Sequence, residues 1–114
     1  MLTMEALKAY GADTAQGLAR CMNNENFYLR LVGMELGDRN FDKLSQALKE
    51  GDAKAGFEAA HALKGAVGNL ALTPIYEPVC KLTELLRGQD DVPDTGDLLP
   101  QIQKAFADLK ALAE

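Results

Sequence analysis

The sequence lacks tryptophan and has a single histidine, two cysteines and few β-branched residues. Val, Ile and Thr together contribute 11 of the 114 residues, against 18 Leu and 17 Ala. Because Leu and Ala favour helices whereas β-branched residues favour strands, we expect an all-α fold without a sheet. A chain of this length forms one domain, which excludes a nucleotide-binding module attached to a separate substrate domain.

Basic clusters and long apolar runs are also missing. The formal net charge is −5, and no stretch gathers enough basic residues to follow a phosphate backbone. No apolar segment approaches the roughly 18 residues that cross a bilayer, and the first ten residues contain no signal-peptide run. We therefore expect a soluble, cytoplasmic protein that binds neither nucleic acid nor membrane.

The two cysteines, Cys21 and Cys80, lie within Leu- and Ala-rich helical patterns, where a reduced, buried thiol is the ordinary occupant. Together with His61 they offer no closely spaced ligand pair for zinc. The inward-facing Glu and the paired Glu-x-x-His ligands of a metal-binding helical bundle are missing as well, since the chain has only one histidine. We therefore expect no metal or cofactor bound by this chain.

Apolar residues recur at helical spacing in four long stretches. These stretches lie near residues 24 to 50, 53 to 70, 74 to 87 and 97 to 113. They predict an antiparallel four-helix bundle, within a single domain that spans residues 1 to 114.

Local signals refine these boundaries. Asp52 is a good N-cap for the second stretch, and Thr73 is the predicted N-cap of the third, with Pro74 at its first helical position. The first stretch is interrupted at residues 37 to 40 and is either two helices or one bent helix. Two short helices, over about 3 to 10 and 13 to 22, form an N-terminal extension over residues 1 to 22, ahead of the bundle.

The single histidine, His61, falls in the middle of the second stretch. At 100° per residue, Lys64, Gly65 and Gly68 share its face, whereas the apolar stripe faces another direction. Each helical glycine costs about 1 kcal/mol relative to alanine. The missing side chains leave room for another protein to approach the imidazole, and Lys64 can hold phosphoryl oxygens. The alternative is a surface histidine without a role, beside glycines that only let a neighbouring helix pack closely.

The run from Ala60 to Leu70, AHALKGAVGNL, resembles the signature of histidine-containing phosphotransfer (HPt) domains. The resemblance covers about residues 24 to 113. It implies that His61 accepts a phosphoryl group, that Lys64 supplies phosphoryl electrostatics, and that Gly65 and Gly68 provide steric clearance. Asn69 matches a position that helps to fix the helix hairpin. Two positions depart from the family pattern: Ala71 replaces a frequent glycine, and Thr83 a frequent acidic residue.

The resemblance implies a carrier in a multistep two-component phosphorelay, with receiver domains and a sensor or hybrid histidine kinase as partners. The chain has no phosphate-binding loop and no carboxylate cluster for Mg²⁺, so we expect no kinase activity, and Mg²⁺ is expected on the receiver partner. The alternative function is a helical module that docks receiver domains or another protein without being phosphorylated. No heptad seam is present, so we expect a monomer. The initiating Met and the helical C-terminus favour a stand-alone domain over the alternative, a domain cut from a larger sensor protein.

Overall fold

The computed structural model describes all 114 residues and contains seven α-helices and no strands, which confirms the all-α prediction. The helices are α1 (Met4–Tyr10), α2 (Thr14–Arg20), α3 (Glu25–Glu35), α4 (Asn40–Glu50), α5 (Ala53–Asn69), α6 (Thr73–Leu86) and α7 (Leu98–Leu112). None of them is long and apolar enough to cross a membrane.

Most of these helices begin where a short polar side chain satisfies a free backbone N–H group. The caps are the side-chain oxygens of Thr3, Asp13, Asn24 and Asp52. In that order, they accept hydrogen bonds from the backbone N–H groups of Ala6, Gln16, Phe27 and Ala55. Asp52 therefore acts as predicted. The prediction for Thr73 is wrong by one position: the N-cap is Leu72, whose carbonyl already accepts from the N–H groups of Ile75 and Tyr76.

The four-helix bundle is formed by α4 to α7, in which each helix packs against the next one along the chain. Phe41 of α4 and Phe106 of α7 close the bundle, because their rings stack with centroids 3.7 Å apart. The stretch predicted over residues 24 to 50 is two helices, α3 and α4. The break is stabilised locally, since Asp38 Oδ1 accepts hydrogen bonds from both the backbone N–H and the side-chain amide of Asn40.

The first 22 residues pack against the bundle and share its core. Leu7 is fully buried in the same apolar cluster as Leu63 and Leu109, and the hydroxyl of Tyr10 donates to the carbonyl of Ala105 at 2.6 Å. Helix α2 ends at Arg20, two residues before its predicted end. The two thiols are free, that of Cys21 buried and that of Cys80 only half-buried, so the predicted burial is confirmed for Cys21 alone.

Candidate functional site

The site is built on α5, whose two sides differ in composition. Ala60, Leu63 and Val67 are fully buried in the bundle core. His61 is exposed, in agreement with its predicted position on the solvent side of the helix. The buried stripe therefore fixes the rotation of α5 about its axis and directs the imidazole toward solvent.

Phe57, one turn before His61, supports the imidazole from the side. The two rings stack with centroids 5.6 Å apart and planes 29° apart. The guanidinium carbon of Arg87 lies 5.0 Å from the centroid of the Phe57 ring, on which it makes a cation–π contact. Phe57 was not among the residues predicted for the site, although its i−4 spacing from His61 is a usable signal for such a contact.

Lys64, one turn after His61, is the cation nearest to it in the sequence of α5. Its Nζ atom lies 4.0 Å from Oε1 of Glu84, at the outer limit of an ion pair. Glu84 is held more closely by Arg87, with two hydrogen bonds of 3.0 and 3.1 Å. These bonds and the Arg87 charge lower the pKa of Glu84, with smaller contributions from Lys64 and His61. Because Glu84 is engaged by Arg87, the ammonium group of Lys64 stays available to another anion.

The five residues predicted for the site all line one open groove of about 650 Å³. Helix α5 contributes His61, Lys64, Gly65, Gly68 and Asn69, while Gln16, Arg20, Ala71, Thr73 and Tyr76 complete the lining. None of these ten residues is acidic, although the whole chain has a net charge of −5. The groove therefore concentrates positive charge on an acidic protein, an arrangement that attracts anionic groups.

The two glycines on the His61 face have different surroundings. A Cβ atom at Gly65 would meet no other atom within 4 Å, so this side of the groove is open. A Cβ atom at Gly68 would lie 2.7 Å from Cε1 of Tyr76, which packs against the helix there. The clearance expected at Gly68 thus serves the Tyr76 ring of this chain rather than an approaching partner.

Asn69 is the last residue of α5, and it is exposed. The hairpin that joins α5 to α6 is held by backbone groups, including the N–H of Leu72, which donates to the carbonyl of Val67 at 2.9 Å. Ala71, one of the two positions that depart from the resemblance, adopts a left-handed φ of 56°. A contribution of the Asn69 side chain to the hairpin stays a prediction.

Arg20 is the residue of the groove that sequence reasoning missed most clearly. It is the last residue of α2, and its Nη1 atom donates to the carbonyl of Gly68. Arg20 also lies close enough to Tyr76 to oppose the rise in the pKa of that phenol, which is caused chiefly by the neighbouring Cys80 thiol. No local pattern links Arg20 to His61, because 41 positions of sequence separate them and only the tertiary fold brings them to one groove.

Chemically, the groove presents an exposed imidazole, one available cation one turn away and open space at Gly65. This set suits the acceptance of an anionic group that another macromolecule presents. No group of three His, Cys, Asp or Glu side chains is placed to hold a metal ion.

Comparison with known proteins gives one match, to a domain family. A sequence model of the Hpt domain matches residues 34–112, from the end of α3 to the end of α7. The match includes His61 and the whole bundle but leaves out α1 and α2. No curated protein and no solved structure matched the chain.

Proposed function

This chain belongs to the Hpt domain family, and we propose that it is a histidine phosphotransfer protein of a multistep phosphorelay. Hpt domains are phosphoryl carriers that interact with the kinases and receiver domains of two-component signalling. In the proposed function, His61 carries the phosphoryl group from the aspartate of one receiver domain to the aspartate of another.

The proposed transfer is an in-line displacement at phosphorus. An imidazole nitrogen of His61 attacks the aspartyl phosphate of the donor, a P–N bond forms, and the P–O bond to the aspartate breaks, so that the carboxylate leaves with the electron pair. In the onward step, a carboxylate oxygen of the second receiver attacks the phosphohistidine, and the imidazole nitrogen leaves. Mg²⁺ on the receiver would stabilise the charge on the transferring group, so this chain needs no metal of its own.

The observation that carries the proposal is the position of His61 beside Gly65. A receiver must bring its aspartate to within bonding distance of the imidazole, and this approach brings the surfaces of two folded domains together. Since a Cβ atom at Gly65 would meet nothing within 4 Å, the space beside the imidazole is left free for that approach. A helix that had only to be stable would carry alanine here.

Lys64 supports the proposal through its charge. A phosphoryl group on His61 adds negative charge to the groove, and the Lys64 ammonium lies one helical turn away. Its distance of 4.0 Å from Glu84 means that little attraction is lost when it turns toward the phosphoryl oxygens. In the same proposal the protein acts as a cytoplasmic monomer.

Phosphotransfer from a purified receiver domain tests the proposed function. A receiver phosphorylated with radiolabelled acetyl phosphate is mixed with the wild-type chain and with the His61→Gln variant, after circular dichroism has shown that both are folded. We expect label on the wild-type chain and none on the variant. Label that survives the substitution would overturn the assignment to His61, whereas receiver binding without any label on the wild-type chain would favour a module that only docks.

A further inference from the structure

One wall of the His61 groove comes from outside the part of the chain that the Hpt domain model matches. Gln16 and Arg20 of α2 line the groove beside α5, and both precede residue 34, where the match begins. The N-terminal helices therefore add a surface to the site that the four-helix bundle alone does not contain.

The position of α2 is fixed by close packing. Gly17 allows the approach of Tyr28, because a Cβ atom at Gly17 would lie only 2.6 Å from Cε1 of that ring. The Tyr28 ring is fully buried, and its hydroxyl donates to the carbonyl of Leu70 at 2.8 Å. The backbone N–H of Asp13 donates to the carbonyl of Ala71 at 3.0 Å. These contacts hold α2 against the α5–α6 hairpin and so determine where Arg20 lies.

The charge of Arg20 is not paired within the chain. Its partner, the carbonyl of Gly68, is neutral, and no carboxylate forms an ion pair with it. Arg20 is exposed, and the groove that it lines contains no acidic residue. An exposed guanidinium held in place by a backbone carbonyl keeps further N–H donors for a carboxylate of a partner.

The distance from His61 limits what Arg20 can bind. Gly68 follows His61 by seven residues, which at 1.5 Å per residue is roughly 10 Å along the helix axis. A guanidinium held at Gly68 is therefore too far away to bind a phosphoryl group on His61. A carboxylate bound by Arg20 would therefore belong to a part of the partner's surface that lies away from the transferring group.

We propose that Arg20 is a specificity-determining residue, which forms an ion pair with a carboxylate on the surface of the receiver domain, away from the phosphoryl group. The inference rests on the proposed function and adds to it a negatively charged contact on the surface of the receiver domain. Charges at the rim of an interface act mainly on the association rate and on its dependence on salt. Arg20 is therefore expected to affect the rate at which the receiver associates with this chain and not the reactivity of His61.

Three variants and two phosphoryl donors test the inference. Arg20→Gln removes the charge, Arg20→Lys keeps it, and Arg39→Gln is the matched control, since Arg39 is exposed and lies outside the groove. The donors are a phosphorylated receiver that transfers to the wild-type chain, selected from a panel of purified receivers, and phosphoramidate, which is too small to need docking.

At low salt, we expect Arg20→Gln to lower the second-order rate of transfer from the receiver about tenfold and to flatten its dependence on salt. Arg20→Lys should recover part of that rate, Arg39→Gln should match the wild type, and all chains should react equally with phosphoramidate. An Arg20→Gln variant that accepts phosphate from the receiver at the wild-type rate overturns the inference and leaves the proposed function intact. Slower labelling by phosphoramidate would also overturn it, because Arg20 would then act by supporting the hairpin. If neither phosphoramidate nor any receiver of the panel labels the wild-type chain, the proposed function fails first.

Discussion

Replacement of Gly65 by alanine should make the protein more stable. Gly65 lies in the interior of α5 and is exposed, and the added Cβ atom would meet nothing within 4 Å. Alanine is favoured over glycine in an exposed helix interior by about 0.8–1.0 kcal/mol, and nothing around Gly65 opposes this gain. For a domain of this size, that gain corresponds to a rise in Tm of about 4 °C.

Thermal unfolding followed by circular dichroism at 222 nm measures this change, with Gly68→Ala as the matched control. A Cβ atom at Gly68 would lie 2.7 Å from Cε1 of Tyr76, so the ring has to move and the gain in helix propensity should be cancelled or reversed. A lower Tm for Gly65→Ala than for the wild type would refute the reasoning, because it would mean that the position is not open.

A bulkier substitution at Gly65 should also slow phosphotransfer. A larger side chain, as in Gly65→Leu, should leave the bundle folded but slow transfer from a phosphorylated receiver, because its bulk would stand beside the His61 imidazole. Phosphorylation by phosphoramidate should be affected much less, since the small donor needs little space. Unchanged transfer from the receiver would show that the free space at Gly65 does not serve the approach of a partner.

Two further predictions concern stability away from the groove. Gly17→Ala should lower the free energy of unfolding by about 1–3 kcal/mol in urea titrations, because the new Cβ atom would overlap the buried ring of Tyr28; an unchanged value would show that α2 is loosely packed. Burial, followed by the proximity of Asp38, raises the pKa of Glu35 to about 8. The folded state therefore holds a proton that the unfolded state releases near pH 4.5. As a result, the free energy of unfolding should fall as the pH rises from 4.5 to 8. Because Glu35 is only half-buried, we expect a loss of about 1–2 kcal/mol that is absent in Glu35→Gln, and equal slopes in the two proteins would contradict this explanation.

The helices of the bundle could be predicted from the sequence because their signals are local. Asp52 caps α5, and the apolar stripe of Ala60, Leu63 and Val67 sets the orientation of the helix about its own axis. The exposure of His61 therefore follows from spacing alone. Whether α3 and α4 are continuous could not be predicted, since the break depends on how Asp38 and Asn40 bond to each other.

The rest of the site depends on tertiary contacts that no spacing reveals. The packing of Tyr76 on Gly68 joins two helices, and spacing within α5 does not reveal it; spacing alone therefore predicts clearance for a partner at this glycine. Arg20 reaches the groove only because Gly17 admits the Tyr28 ring. Contacts of this kind are set by the shapes of side chains that are distant in sequence, and a periodicity argument contains no information about them.

Mapping of the phosphoryl group on the chain tests the central claim most directly. After reaction with a phosphorylated receiver, the protein is digested at neutral or alkaline pH and the phosphopeptides are sequenced by mass spectrometry, with an acid-treated sample beside them. We predict a single acid-labile phosphoryl group on His61. A phosphoryl group on any other residue, or none on a chain that binds the receiver, would contradict the account.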